Sequence, residues 1–320
     1  MNNIYLPEGL LCSTPQNREY ISSLSGLERA MNEGKILEST VILCDSQLRL
    51  HVDLYGIKGI IERDEVLYSR DDADIKDIAI ITRVGKPVCF KVISIEYRLG
   101  KPLAILSRRA AQLECTHNYI DRLSCGDIIK ARISHLENFG AFVDIGCGIT
   151  SLLSVDSISV SRISHPSDRL TVGQYVYTVV KSKEAEKGRI FVSMRELLGT
   201  WEENAAQFRS GETVAGIIRS VEDYGIFVEL SPNLAGLAEI REPCREKLKE
   251  NIGRYAAVYI KSIIPERMKI KLVLIDSYKG DPPEKELKYF VDVENISHID
   301  SWKYSPAASN KSIETIFDNF

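Results

Sequence analysis

The stretch HLENFGAFVDIG, His135–Gly146, decides how this chain is read. Two phenylalanines three residues apart flank a glycine, and the run ends in alternating apolar and acidic residues. Taken as a strand, it sets Ala141, Val143 and Ile145 on one face and Gly140, Phe142 and Asp144 on the other. The first set is a core face, so the alternation turns Phe142 toward solvent beside an aspartate. One exposed ring means little, because folded surfaces are more than half apolar atoms. A recurrence means more.

The recurrence is present. GDIIKARISHLENFGAFVDIGCGITSLLSV, from Gly126, aligns with GETVAGIIRSVEDYGIFVELSPNLAGLAEI, from Gly211. Phe139 falls on Tyr224, Gly140 on Gly225, Phe142 on Phe227 and Asp144 on Glu229. The later halves agree as well, Val172–Met194 with Ile252–Leu274. A weaker first copy runs from Gly34 and closes with Val84–Ser107. Aligning Val52-Asp53 on Val143-Asp144 puts Leu48 and His51 at the aromatic positions, so the frame is kept and the rings are lost.

Each unit is about 70 to 75 residues of short β-branched strands between glycine or charged turns. Such a unit suits a small closed barrel, which removes exposed strand edges. Five strands with an insert between the third and fourth, around Ser167–Gly173, fit the spacing. Ser107–Leu123 and Ser193–Ser210 have helical composition and read as spacers between barrels. Ser13–Gly34 reads as a leading helix, with Thr14 as N-cap and Pro15 at the first helical position.

Composition bounds the function. The chain has 320 residues, 44% hydrophobic and 27% charged, an ordinary soluble composition with room for two or three domains. No apolar run approaches a membrane span, and the N-terminus lacks a secretory pattern, so no membrane partner is expected. Seven scattered cysteines without a CxxC argue against a disulfide framework or a zinc site and for a cytoplasmic setting. Net charge is −4, which counts mildly against a nucleic-acid binder. The first 33 residues carry 2 basic and 4 acidic groups, and Ser277–Phe320 carry 5 and 8, so the middle is close to neutral.

Gly126–Met194 and Gly211–Leu274 resemble the RNA-binding OB-fold repeat first described in ribosomal protein S-one and found in polynucleotide phosphorylase and ribonuclease E. The residues that carry the resemblance are the runs NFGAFVD and DYGIFVE, GLAEI at Gly236–Ile240, and GRIFVS at Gly188–Ser193. Gly34–Ser107 resembles the degenerate copies that open such proteins, and the plan is similar to the shorter Gram-positive bacterial relatives. The expected fold is all-β: three tandem five-stranded OB barrels joined by short helices, with an N-terminal helix and a C-terminal extension. The expected boundaries are 1–33 (lead), 34–107 (first barrel), 108–123 (linker), 124–196 (second barrel), 197–209 (linker), 210–276 (third barrel) and 277–320 (extension).

Single-stranded nucleic acid offers flat bases and a charged backbone, met by exposed rings and basic groups. Strand alternation itself turns Phe142 and Phe227 outward. Phe139 and Tyr224 sit at the strand start, where alternation points them to the core unless a bulge at the following glycine presents both rings. For all four, packing against a neighbouring element is the alternative. The resemblance implies that these positions belong to a binding face. It also implies a histidine after the third strand, replaced here by Ser154 and Glu239, and a basic residue opening the last strand, kept as Arg189 and Lys269, with Lys187 and Lys271 nearby. Arg108-Arg109 would steer RNA or form a solvated helix face. Tyr289, Phe290, Trp302 and Tyr304 crowd the C-terminal segment, which should fold back on the third barrel; an aromatic clamp is the alternative.

No phosphate-binding loop, dinucleotide fingerprint, HxxxH or nucleophile motif is present, so the chain reads as a non-enzyme that needs no cofactor. The preferred expectation is single-stranded RNA binding in translation or RNA handling, with the first barrel meeting the ribosome or another protein. The alternative is an interaction scaffold whose barrels have largely lost RNA affinity.

Overall fold

The computed structural model describes residues 5–70, 75–184, 188–239, 250–277 and 287–317. Three closed five-stranded barrels follow one another. The first is built from β1 (Leu37–Cys44), β2 (Leu50–Leu54), β3 (Ile57–Ile61), β4 (Pro87–Arg98) and β5 (Lys101–Ser107). The second uses β6 (Ile128–Glu137), β7 (Gly140–Asp144), β8 (Thr150–Ser154), β9 (Tyr175–Glu184) and β10 (Arg189–Ser193). The third uses β11 (Thr213–Glu222), β12 (Gly225–Ser231), β13 (Leu234–Ala238), β14 (Tyr255–Ile264) and β15 (Lys269–Ser277).

All three share one strand order, in which the third strand runs parallel to the fifth and the fourth closes on the first. This is the expected OB topology. Period-2 alternation builds each core: Leu50, Val52 and Leu54 face inward on β2, Ala141 and Val143 on β7, and Ile226 and Val228 on β12.

The N-terminal lead is two helices rather than one, α1 (Pro15–Ile21) and α2 (Leu24–Glu33). Thr14 caps the first by accepting from the Asn17 amide at 3.2 Å. Ser23 starts the second in the same way, accepting from the Gly26 amide at 3.1 Å, and so interrupts the run. A short α3 (Asp77–Ile81) lies between β3 and β4, and α5 (Val155–Ile158) forms part of the insert after β8. The first linker is helical, α4 (Arg108–Asn118), whereas the second is a 3-10 turn followed by the single-turn α6 (Trp201–Ala205).

Adjacent barrels dock by the same device. The turn after the second strand of one barrel meets the linker that leaves the preceding barrel. Gln112 Nε2 on α4 donates to the Cys147 carbonyl at 3.0 Å. Asn233 Nδ2 donates to the carbonyls of Arg195 and Gly199 at 2.8 and 2.9 Å. The matched acidic residue of the second strand takes part in both junctions, and this corrects its expected solvent position. Asp144 is buried and accepts from the amides of Glu8, Gly146 and Gly148. Glu229 is buried and accepts both Arg169 and Arg219.

Arg108 neither steers nor lies on a solvated face. It is fully buried, and its Nε and Nη2 donate to the two Glu8 oxygens at 2.7 and 3.1 Å. Burial opposes ionisation of Glu8, but the charge and hydrogen bonds of Arg108 outweigh it and hold Glu8 below the usual carboxylate range. Burial, and then the Glu8 charge, push Asp144 up. Cys89, Cys115 and Cys147, distant in sequence, meet at this junction as buried free thiols.

The C-terminal segment does fold back, and onto two barrels. Trp302 and Tyr304 join the core of the third, and the Tyr304 hydroxyl donates to the Asn233 carbonyl at 2.5 Å. Tyr289 packs edge-on against Tyr177 of the second barrel at 5.6 Å. The short strands β16 (Ser301–Lys303) and β17 (Glu314–Ile316) pair antiparallel. Packed in this way, three of the four aromatics are structural rather than a clamp.

Candidate nucleic-acid interface

The ring pairs have the same geometry in both later barrels. Phe139 and Phe142 meet edge-to-face with centroids 6.0 Å apart at 88°, and Tyr224 and Phe227 do so at 6.1 Å and 88°. The edge-to-face arrangement is one that aromatic quadrupoles favour. Phe139 and Tyr224 are 55% and 66% exposed, whereas Phe142 and Phe227 are half-buried and join no core.

The device that presents the first ring of each pair differs from the expected one. Phe139 lies in the two-residue turn between β6 and β7, before the strand begins, so alternation does not apply to it. The bulge sits on the facing strand, between Ile133 and His135, and recurs between Ile218 and Ser220. Gly140 serves close approach instead: a Cβ there would stand 2.4 Å from the Leu153 carbonyl oxygen, and at Gly225 2.8 Å from that of Ala238.

Strand register shows which side chains share this face. In the second barrel the row across the sheet is His135, Phe142, Leu152, Phe191 and Ser182. In the third it is Ser220, Phe227, Leu237, Lys271 and Ser262. His135 stacks on Phe142 at 6.4 Å and 19°. Arg189 and Lys269 open the last strands two residues before this row, exposed and on its face. Lys187 lies outside the described residues. Ser154 pairs with Gly140, and its hydroxyl lies 2.8 Å from Ser157 Oγ, which also accepts from Lys181 at 3.0 Å. Glu239 is exposed just beyond β13.

Phe191, His135 and two lysines were not among the residues singled out from sequence. Lys181 is the extra residue at a bulge in β9, and Lys261 occupies the same place in β14. Their signal was present in the repeat, as the Lys-Ser pairs Lys181-Ser182 and Lys261-Ser262 fall on each other.

The first barrel keeps the register and changes the chemistry. Its row reads Leu43, His51, Ile60, Ile105 and Ser94, with Ile93 at the bulge and Leu103 where Arg189 stands. His51 Nε2 lies 2.9 Å from Asp45, which also accepts from Arg49. This face therefore has one partnered imidazole and a set of aliphatic side chains.

Comparison with known proteins gives this face a context. Residues 123–195 match the family model described as the S1 RNA binding domain. Small ribosomal subunit protein bS1 of Leuconostoc lactis is 30% identical over 250 residues, covering 74% of this chain and 55% of that protein. The bS1 protein of Staphylococcus haemolyticus is 32% identical over 250 residues, covering 75% and 59%. The bS1 homolog of Bacillus cereus is 28% identical over 242 residues, covering 72% and 60%. The chain thus spans little more than half the length of these relatives. With one S1 domain matched, similarity over most of the chain and three barrels of one topology, the chain is an S1-like protein of tandem OB barrels.

Proposed function

We propose that the chain is a non-catalytic protein that binds single-stranded RNA in the cytoplasm, in translation or RNA handling. One observation carries this reading: the same edge-to-face ring pair stands at the start of the second strand in two successive barrels, one ring in the turn and one on the strand, with an exposed cation, Arg189 or Lys269, on the same face. A purely structural ring needs no such repetition. Phe142 and Phe227 offer stacking faces, Phe139 and Tyr224 brace them and add ring surface, and Arg189, Lys269 and Lys271 meet the backbone. Ser154 contributes a hydroxyl, and Lys187 belongs to the proposed set by its place in sequence.

The first barrel takes the second reading. Leu43 and Ile93 are 52% and 51% exposed where the second barrel has His135 and Lys181, which favours a protein or ribosomal surface over a nucleic-acid strand.

Fluorescence anisotropy with a labelled unstructured RNA, its DNA equivalent and a duplex, over a salt series, tests the main reading. The single strand should be preferred, and log K should fall by roughly 0.7 per phosphate contact for each unit of log salt. Phe142→Ala/Phe227→Ala should cost about 2–6 kcal/mol, since each stacked base is worth roughly 1–3 kcal/mol. Absence of binding at low salt would turn the reading toward a protein scaffold.

A further inference from the structure

We infer that the second barrel carries a second nucleobase subsite, formed by Phe191 beside Leu152, and that the third barrel holds a phosphate at the equivalent place through Lys271. This rests on the single-strand reading above and deepens it. Phe191 is paired in register with Leu152 across the parallel β8–β10 ladder and with Ser182 across the antiparallel one. Ile190 and Val192 on either side of it are buried, so alternation turns its ring to the outside. It is half-exposed and, like Phe142 and Leu152, joins none of the hydrophobic cores.

Phe142, Leu152 and Phe191 therefore form an apolar row over three adjacent strands. The two rings stand two strand spacings apart, about 9–10 Å. One base on Phe142 leaves a second free to reach Phe191 over the Leu152 side chain. Arg189, two residues earlier on the same face of β10, stands beside that second position and suits the connecting phosphate.

The third barrel has the same row with the ring replaced. Phe227, Leu237 and Lys271 are its members, and Lys271 is exposed. An ammonium gives no stacking face to a neutral base but pairs with phosphate. The two barrels thus differ at this one position: the second holds a base there by contact that salt barely weakens, and the third holds backbone there by charge.

The test exchanges the two residues in the full chain and uses a fluorescein-labelled oligouridylate over a salt series. Phe191→Leu should weaken binding roughly 5- to 150-fold with little change in salt slope, while Phe191→Tyr stays near wild type. Phe191→Lys should steepen the slope by about 0.7, and Lys271→Phe should make it shallower by about 0.7. Because both side chains point outward, thermal unfolding should leave all four variants near wild type. The subsite is overturned if Phe191→Leu binds like wild type while Phe142→Ala still weakens binding, an outcome that leaves the RNA reading intact. It is also overturned if Phe191→Tyr and Phe191→Leu lose affinity equally. If the wild-type chain binds no oligouridylate at low salt, both readings fall together.

Discussion

The first and second barrels have the same five strands in the same register, yet their outer faces differ position by position. Where the second has Phe142, Phe191, Arg189 and Lys181, the first has His51, Ile105, Leu103 and Ile93. Their inner faces are alike: Val52 and Val143 are both buried, as are Val41 and Ile133. Barrel closure and the chemistry of the outer face are therefore written on alternate residues of the same strands. The inward set closes the barrel, and the outward set is left to vary without cost to the core.

Docking also draws on outward residues, and its removal should have the largest effect on stability. Arg108→Ala leaves Glu8 buried with the loss of its bidentate partner, and breaking a buried pair typically costs about 3–5 kcal/mol. Urea unfolding should show this loss, with the transition of the first barrel and its lead shifted most. A loss below about 1 kcal/mol would mean that the other contacts of the junction, Arg83 at 3.7 Å from Glu8 among them, hold it without Arg108.

A second effect depends on pH, and the first barrel contributes to it through a residue the second lacks. Glu38 of the first barrel occupies the place of Lys130 in the second. Burial first, and then the Glu8 charge, raise the Glu38 carboxyl to about 7 against an ordinary value of 4.5. The folded state then holds a proton that the unfolded state releases between those values, so stability falls as pH rises through this window. The full span is worth at most about 3 kcal/mol. Thermal unfolding at pH 5 and pH 8 should show it, and Glu38→Gln, which keeps an acceptor for the amides of Gly9, Leu11 and Cys12, should remove the share of Glu38 and leave that of Asp144, which burial and the Glu8 charge push up in the same direction. An unchanged pH difference in Glu38→Gln would assign the effect to another group, with Asp144 the first to examine.

The sharpest use of the comparison is to convert one face into the other. In the Phe142→Ala/Phe227→Ala background, His51→Phe with Ile105→Lys and Ile93→Lys should restore about 1–3 kcal/mol of single-strand affinity, the worth of one stacked base. Anisotropy checks this directly. No gain would show that the face alone is not enough and that the first barrel is closed to RNA for another reason.

Much of this was legible in sequence because it depends on short-range pattern. Strand alternation and the repeat itself lead to three barrels and turn Phe142 and Phe227 outward. What was not legible depends on partners far along the chain. Asp144 alternates outward as expected, but the amide of Glu8 covers it from 136 residues away. Arg108 begins a helix whose pattern says nothing of the buried carboxylate it meets. Phe191 was missed for a different reason: its place in one row with Phe142 and Leu152 follows from the parallel pairing of β8 with β10, which no local period encodes.

The bulge lysines give the smallest and most specific effect. A bulge inserts one residue and sharpens the local twist, and in all three barrels one falls on the fourth strand, with Lys181, Lys261 or Ile93 as the extra residue. That position re-aims a side chain toward the rim of the face. Lys181 spends part of its donor capacity on Ser157, but an ammonium has three protons and this one is exposed. If each bulge lysine meets one phosphate, Lys181→Ala and Lys261→Ala should each lower the salt slope by about 0.7, and together by about 1.4. Neither change should alter the stacking contribution, so affinity at high salt should hardly move. Equal affinity losses at low and high salt would instead mean that the lysines shape the barrel rim and do not touch the strand.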